Sequence, residues 1–152
     1  MNLTIIQLGK MHLNACFDLD QKALKGLWTK SQWERELNDP KRICLGAIDL
    51  ESQKLLGICS SWLIIDQLHI TSIAINPNHQ RKGLGKFLLS ELIKLSHSFQ
   101  ISQIHLEVKD TNETAKAFYK SMGFKIIGKR VNFYKDGSNA LLLNKNLNKD
   151  LE

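Results

Sequence analysis

Residues 76–86 read Asn-Pro-Asn-His-Gln-Arg-Lys-Gly-Leu-Gly-Lys, and the rest of the chain is organised around this segment. An apolar strand pattern at 68–76 runs into it, and an amphipathic helix pattern at 84–98 runs out of it. A loop at a helix N-terminus presents unpaired N–H groups and a partial positive charge. Gly83 and Gly85 lack the Cβ atoms that would block a close ligand. The segment predicts a phosphate-binding loop, although a glycine turn that serves only packing has the same local pattern.

Two common nucleotide-binding motifs do not fit this loop. A Walker A loop needs a glycine at 80 and a hydroxyl residue at 87, where Gln80 and Phe87 stand. A dinucleotide fingerprint needs a third glycine at 88, which is Leu88, and should open the first βαβ unit of the chain. The remaining interpretation is a pyrophosphate loop of another kind. Its positive charge would come from Arg81, Lys82 and Lys86.

Length and composition indicate one globular domain. The chain has 152 residues, of which 43% are hydrophobic, and no apolar run approaches the length of a membrane span. We expect a single domain at 1–147 and a polar C-terminal tail at 148–152, with the polar run at 144–150 frayed. The first residues read as a strand and lack the features of a signal peptide, so we expect a cytoplasmic protein.

The charged and metal-binding residue types do not indicate a metal or a nucleic acid. The three cysteines are widely spaced, and the five histidines show no ligand spacing, so we expect reduced thiols and no metal site. The net charge of +6 fits a nucleic-acid surface, a polyanionic cofactor or a lysine-rich solvated surface. The basic residues are scattered, which does not favour nucleic acid.

Apolar periodicity predicts a mixed α/β (α+β) fold with about seven strands and about four helices. Strands are predicted at 3–8, 42–49, 54–65, 68–76, 103–109, 124–130 and 139–145. Helices are predicted at 11–27, 29–37, 84–98 and 111–122. The strand–helix–strand crossover from 76 to 103 makes that strand pair parallel, so the sheet is mixed.

One acidic residue on the predicted strand 103–109 is a candidate general base. Ile104, Leu106 and Val108 alternate along this strand, and Glu107 faces the other way. Ligands of α/β sheets bind near the carboxyl ends of strands at a switch point, and a base there could deprotonate an amine. A charge on a solvated sheet face has the same pattern, and both interpretations stay open.

Two residues of the predicted helix at 111–122 are further candidates. Tyr119 could protonate a leaving thiolate or orient a cofactor sulfur, and equally it could simply pack beside Phe118. Asn112 stands at the head of the helix, where it either caps the helix or contacts a cofactor arm.

Several motifs together resemble the RimI branch of the GNAT acyltransferase superfamily. The match is close over about 68–145, and the order of the predicted elements is also that of the GNAT fold. The motifs are Ile73-Ala74-Ile75-Asn76-Pro77, Gln80 to Leu89, Leu106-Glu107-Val108, Asn112 to Phe124 with Ala115, Phe118, Tyr119 and Gly123, and Arg130 to Tyr134.

The resemblance implies acetyl transfer from acetyl-CoA to the N-terminal α-amine of a protein, as for the N-terminal alanine of a small-subunit ribosomal protein. It implies that Glu107 is the proton acceptor, acting through water, and that Tyr119 is the proton donor. The cofactor contacts that it implies are Ile73, Ala74, Ile75, Arg81, Lys82, Gly83, Leu84, Gly85, Lys86 and Asn112. The peptide contacts that it implies are Trp28, Arg130, Phe133 and Tyr134. The family usually has a tyrosine where Phe133 stands, so one hydroxyl contact is lost.

Two alternatives to this function remain. One is a GNAT enzyme that acetylates a small amine, a lysine side chain or an antibiotic. The other is a non-catalytic acyl-CoA- or RNA-binding module. We expect a monomer that acts on a protein substrate without a membrane, a nucleic acid or a metal.

Overall fold

A seven-stranded mixed sheet organises residues 1–148, the part of the chain that the computed structural model describes. The strands are β1 (Leu3–Gln7), β2 (Arg42–Asp49), β3 (Lys54–Ile64), β4 (Gln67–Ile75), β5 (Gln103–Lys109), β6 (Lys125–Arg130) and β7 (Ala140–Asn146). The helices are α1 (Leu13–Ala23), α2 (Lys30–Asn38), α3 (Leu84–Ser98) and α4 (Glu113–Ser121), with short 3-10 turns at Lys10–His12 and Pro77–His79. The predicted fold class is therefore confirmed.

The strand order is β1-β2-β3-β4-β5-β7-β6, with one parallel pair inside an otherwise antiparallel sheet of the described residues. The parallel pair is β4 with β5, as the crossover through α3 predicts. Its pairing covers only Gln67–His69 and 103–105 within residues 1–148, although both strands continue beyond it. The two strands separate towards their carboxyl ends.

A β-bulge accounts for this separation. In the pairing of β3 with β4, the register shifts so that Ser60 opposes Ser72 and Ser61 opposes Ile70, which leaves Thr71 as the extra residue. A bulge bends the strand that carries it and increases its local twist. The bulge lies just after the last residue of β4 that pairs with β5, where the two strands begin to separate.

Helices cover both faces of the sheet, and each face has its own apolar cluster. The larger cluster packs α3 and α4 residues such as Leu88 and Tyr119 against β5, whose Ile104, Leu106 and Val108 are buried. The smaller cluster joins α1 and α2 to the opposite face. On β5 the residues between the buried ones, among them Glu107, therefore lie on the face of the smaller cluster.

A buried carboxylate ends α1 earlier than the sequence predicts. The apolar pattern extends to 27, but α1 ends at Ala23. Asp20 is fully buried and accepts hydrogen bonds from Leu27 N at 2.7 Å, Trp28 N at 3.0 Å and Trp33 Nε1 at 2.6 Å. The carboxylate thus replaces the helical partners of the Leu27 and Trp28 N–H groups, and its bond with the Trp33 indole ties the turn between α1 and α2 to α2.

The C-terminal polar run is not frayed where the structure describes it. Asn144–Asn146 belong to β7, which pairs with β5, and Leu147 is buried. The prediction that fraying begins at 144 is wrong, because the polar side chains lie on a strand whose backbone is paired. Residues 149–152, most of the predicted tail, lie outside the described residues. Within residues 1–148, none of the helices has the length and apolar character needed to cross a membrane.

Replacement of Asp20 by alanine should lower the free energy of unfolding by about 3 kcal/mol or more, because three N–H groups lose their acceptor. Urea unfolding followed by tryptophan fluorescence measures this loss. The matched control is Asp18→Ala, an exposed carboxylate of the same helix, for which we expect a change within about 0.5 kcal/mol. Equal losses in the two variants would contradict the role of Asp20.

Candidate active site

The predicted phosphate loop is a short connection between β4 and α3. The 3-10 turn at Pro77–His79 follows β4, and Gln80 Nε2 donates back to the Ile75 carbonyl at 3.3 Å. Gly83 is the residue before α3 and has a φ of 83°, a conformation that favours glycine. Arg81 also has a positive φ, of 61°. The loop therefore places the free N–H groups of the first turn of α3 beside the end of β4.

A cleft of about 600 Å³, here called the loop cleft, opens in front of this loop. The end of β4, the loop, the start of α3 and one face of α4 line it. Its predicted residues are Ile73, Ile75, Arg81, Gly83, Leu84, Gly85, Lys86, Asn112 and Tyr119. Its other residues are His79, Gln80, Thr114, Ala115 and Phe118. The structure thus brings together most of the predicted cofactor residues.

Two predicted cofactor residues do not line the loop cleft. Ala74 is buried opposite Ile58, because its side chain points to the other face from those of its neighbours Ile73 and Ile75. Lys82 is exposed and is absent from the lining. For both residues a cofactor contact would be made by the backbone of β4 or of the loop, and these contacts stay predictions.

Gly85 faces α4 across the loop cleft. A Cβ atom built on Gly85 would lie 3.5 Å from the ring of Phe118, which is ordinary van der Waals contact. Any larger side chain at 85 would enter the space between α3 and α4. The predicted reason for glycine at this position, room for a ligand, agrees with this geometry.

A second cavity of about 360 Å³, here called the strand cavity, lies where β4 and β5 separate. Residues 70–73 of β4 and 106–109 of β5 form its two sides, and Tyr134 of the β6–β7 loop also lines it. Ile73, Asn112, Ala115 and Tyr119 line both the strand cavity and the loop cleft. The two spaces therefore adjoin, with Tyr119 at their junction.

Glu107 lines the strand cavity and is paired with a histidine that the sequence analysis missed. His69 Nε2 lies 2.6 Å from Glu107 Oε2, and both side chains are half-buried. His105 stacks on His69 with ring centroids 4.8 Å apart, because the two histidines occupy opposite positions of the parallel pair. A histidine at this distance holds the carboxylate in one orientation and can exchange a proton with it.

Tyr119 is largely buried, and its ring packs against Phe118 and Phe124. Burial, and to a smaller extent Cys59, raises the pKa of the Tyr119 phenol well above its usual value. The phenol therefore keeps its proton at neutral pH. The packing and functional interpretations of this residue coexist, since the same side chain is part of the core and reaches both cavities.

Asn112 also has two structural roles, since it caps α4 and lines both cavities. Its side-chain oxygen accepts a hydrogen bond from Ala115 N at 3.1 Å, which caps α4. The residue also lines the loop cleft and the strand cavity. Its cap fixes the N-terminus of α4 beside the space that a ligand would occupy.

Of the four residues predicted to contact the peptide, one lines a cavity of the site and three do not. Tyr134 reaches the strand cavity, where burial and Glu107 raise its pKa. Arg130 and Phe133 lie beside each other, 5.7 Å from guanidinium carbon to ring centroid, and line neither cavity. Trp28 packs edge-on against Trp33 and lines a separate depression beside α2. The structure therefore does not bring Trp28 together with Glu107.

The three cysteines are free and buried, which agrees with the reduced thiols that the sequence predicts. Burial raises the pKa of the Cys16 thiol to about 12 and that of Cys44 to about 11, and it also raises the pKa of Cys59. Thiols of this kind hold little thiolate at neutral pH and are poor nucleophiles. Among residues 1–148, no cluster of histidine, cysteine, aspartate and glutamate could hold a metal ion.

Comparisons with known proteins agree with this geometry. The family described as "Acetyltransferase (GNAT) family" matches residues 13–124. The putative ribosomal protein bS18-alanine N-acetyltransferase of Bacillus subtilis is 29% identical over 128 residues, which are 84% of each chain. The ribosomal protein bS18-alanine N-acetyltransferase of Salmonella typhimurium is 31% identical over 136 residues, which are 86% of each chain.

Solved structures give the same result. The crystal structure of the ribosomal-protein-S18-alanine N-acetyltransferase from Escherichia coli superposes with a TM-score of 0.88 at 26% identity, covering 95% of this chain and 94% of that one. Arabidopsis thaliana NAA60 in complex with acetyl-CoA has a TM-score of 0.87 and covers 97% and 99% of the two chains. Its identity of 15% makes it a match of fold alone.

The titration of His105 should report the charge of Glu107. Burial and His69 lower the pKa of His105 from its ordinary 6.5, whereas Glu107 acts to raise it. Glu107→Gln removes the negative charge, so the midpoint of His105 should fall further. NMR of the imidazole C–H signals against pH measures this midpoint. Asp18→Asn removes an exposed carboxylate of α1 and should leave the midpoint unchanged. An unchanged midpoint in Glu107→Gln as well would contradict a negative charge on Glu107 beside His105.

Proposed function

The chain belongs to the acetyltransferase (GNAT) family, and from this premise we propose that it transfers the acetyl group of acetyl-CoA to the N-terminal α-amine of a protein. The relatives named ribosomal protein bS18-alanine N-acetyltransferases support the N-terminal alanine of that ribosomal protein as the acceptor. Such an acceptor places the enzyme in the cytoplasm. Described residues of one chain line both cavities, so we expect a monomer to be active.

One observation carries this proposal: a cationic loop cleft adjoins a strand cavity that holds an oriented carboxylate. The loop cleft fits a diphosphate with an extended arm. The first turn of α3 supplies N–H groups to the diphosphate, and Arg81 and Lys86 supply charge. The second half of β4 lies beside the cleft, and β5 does not pair with it after His69 in the described chain. Its free backbone groups can bind the amides of the arm.

When bound, acetyl-CoA supplies a thioester whose carbonyl carbon is attacked by the amine, so that a C–N bond forms and the C–S bond breaks. Residues of this chain then have to hold the two reactants together and move protons. We assign the backbone of Ile73–Ile75 to the arm and to the carbonyl oxygen, where an N–H donor stabilises the developing negative charge. Fixing both reactants in adjoining cavities supplies much of the rate.

Glu107 is the proposed proton acceptor for the attacking amine, directly or through a water molecule. It faces the strand cavity, and His69 holds its Oε2 atom. An ammonium group must lose a proton before it is nucleophilic, and a carboxylate positioned beside it provides the acceptor. The histidine partner orients the carboxylate and can pass the proton onward.

Tyr119 is the proposed proton donor to the leaving thiolate. It lies at the junction of the two cavities, where the sulfur of a bound donor would stand next to the acceptor amine. The raised pKa of Tyr119 keeps the phenol protonated at neutral pH. Buried thiols with raised pKa values argue against an acyl-enzyme, so direct transfer is the mechanism that we propose.

The acceptor can be tested by incubating the protein with acetyl-CoA and separate acceptors. These are a peptide with the N-terminal sequence of bS18, the same peptide with a blocked N-terminus and a lysine side chain, and spermidine. We expect CoA release and a mass gain of one acetyl group on the free α-amine only. Transfer to spermidine or to the blocked peptide in place of the α-amine would overturn the choice of acceptor. CoA binding without release in any arm would favour a non-catalytic module.

Glu107→Gln should lower kcat by about 100-fold or more while CoA affinity stays within about twofold, since the amide cannot accept the proton. Steady-state assays from pH 6 to 9 and calorimetry with CoA measure the two effects. The matched control is Glu113→Gln, an exposed glutamate at the start of α4, which should keep wild-type turnover. Wild-type turnover of Glu107→Gln across the pH range would exclude Glu107 as the base.

A further inference from the structure

The β6–β7 loop, residues 131–139, brings one side chain to the strand cavity. Of these nine positions, Tyr134 is the one that lines the cavity with Glu107. Contacts inside the loop fix its shape: Tyr134 N donates to the Ser138 carbonyl at 3.2 Å, and Gly137 N donates to the Tyr134 carbonyl at 3.0 Å. The loop is therefore a small preformed unit, and the position of Tyr134 depends on how this unit is attached to the sheet.

The attachment is made at the carboxyl end of β5. Lys109 Nζ lies 3.1 Å from Asp136 Oδ2 and 5.2 Å from the ring centroid of Tyr134. The same ammonium group thus contacts both the carboxylate of the loop and the aromatic side chain that enters the cavity. Next to it, Asp110 N donates to the Asn139 carbonyl at 3.1 Å and Asn139 Nδ2 donates to Asp110 Oδ2 at 3.1 Å.

Hydrogen bonds within the loop orient the Asp136 carboxylate towards Lys109. Its Oδ1 atom accepts hydrogen bonds from the Ser138 backbone N–H at 2.9 Å and from the Ser138 hydroxyl at 2.5 Å, which leaves Oδ2 for Lys109. These bonds and Lys109 hold the pKa of Asp136 well below its usual range. The carboxylate stays charged at neutral pH and keeps one orientation.

Lys109 lies two residues after Glu107 on the same strand, so both side chains belong to one face of the sheet. The proposed base and the anchor of the loop are therefore fixed by the same piece of backbone. An exposed ion pair contributes little to overall stability. The effect of the Lys109–Asp136 pair is therefore on the position of the Tyr134 side chain and not on the stability of the whole fold.

We propose that Lys109 is a positioning residue for acceptor binding, which acts by clasping Asp136 and Tyr134 so that the tyrosine closes the strand cavity over the acceptor N-terminus. This inference rests on the proposed function. The clasp, meaning Lys109, Asp136 and Tyr134, sets the affinity for the acceptor and leaves the donor site and the proton acceptor unchanged.

The test is the kinetics of Lys109→Met and Asp136→Asn with the bS18 N-terminal peptide. Lys109→Met should raise the peptide KM about fivefold to tenfold, the range expected from the loss of one exposed ion pair and one cation–π contact. Asp136→Asn removes only the ion pair and should raise the KM about twofold to fivefold. Both variants should keep kcat and CoA affinity near wild type, and the double variant should be no worse than Lys109→Met, because both changes break the same clasp. Lys109→Arg should restore most of the affinity.

Lys135→Met is the matched control, because it removes an exposed lysine of the same loop that is not part of the clasp. It should leave the peptide KM unchanged. A wild-type KM for Lys109→Met, an equal effect of Lys135→Met, or a fall in kcat without a change in KM would each overturn the clasp while leaving the proposed function in place. Failure of the wild-type protein to acetylate the peptide would instead overturn the proposed function, and the clasp with it.

Discussion

Backbone pairing between β4 and β5 lasts for three residues and then ends, and both cavities depend on that ending. The bulge at Thr71 bends β4, while β5 is paired with β7 along its whole length. Two parallel strands that separate leave backbone groups free on the inner edge of β4. They also leave a gap into which side chains of β5 can point. A sheet with continuous pairing would have filled this space with hydrogen bonds.

Burial decides the chemistry available around this gap. The cysteines and Tyr119 are held in their neutral forms because charging them inside the core would cost solvation energy. Glu107 lies nearer the surface, on the half-buried face, and has His69 as a partner. Around this gap, the groups that burial keeps neutral lie deepest, and Glu107 and the ion pair of the clasp lie nearer the surface.

Local patterns in the sequence predicted the elements well, since the strand and helix periods, the glycines of the loop and the cap of α4 all depend on neighbouring residues. The predicted places of Glu107, Tyr119 and Asn112 agree with the geometry for the same reason, and their roles stay proposals.

The pairing of His69 with Glu107 could not be read from the chain, because it joins residues 38 positions apart through strand register. The early end of α1 was missed because a buried Asp20 satisfies N–H groups of the next turn. The peptide contact that the resemblance implies for Trp28 stays a prediction, since its ring packs on Trp33 and lines neither of the two cavities.

The crossover through α3 also has a temporal consequence. The loop that would hold the donor precedes α3 in the chain, and Glu107 follows it, so neither cavity can form until the parallel pair has closed around the helix. Tyr134 comes later still, and β5 gains its outer neighbour only when β7 is present. During synthesis from the N-terminus, the first four strands, which pair with one another in antiparallel fashion, are complete before β5 is made. The active site is therefore complete only when the last strand is in place. A nascent chain whose C-terminal fifth has not yet left the ribosome has the cofactor loop but not the complete active site.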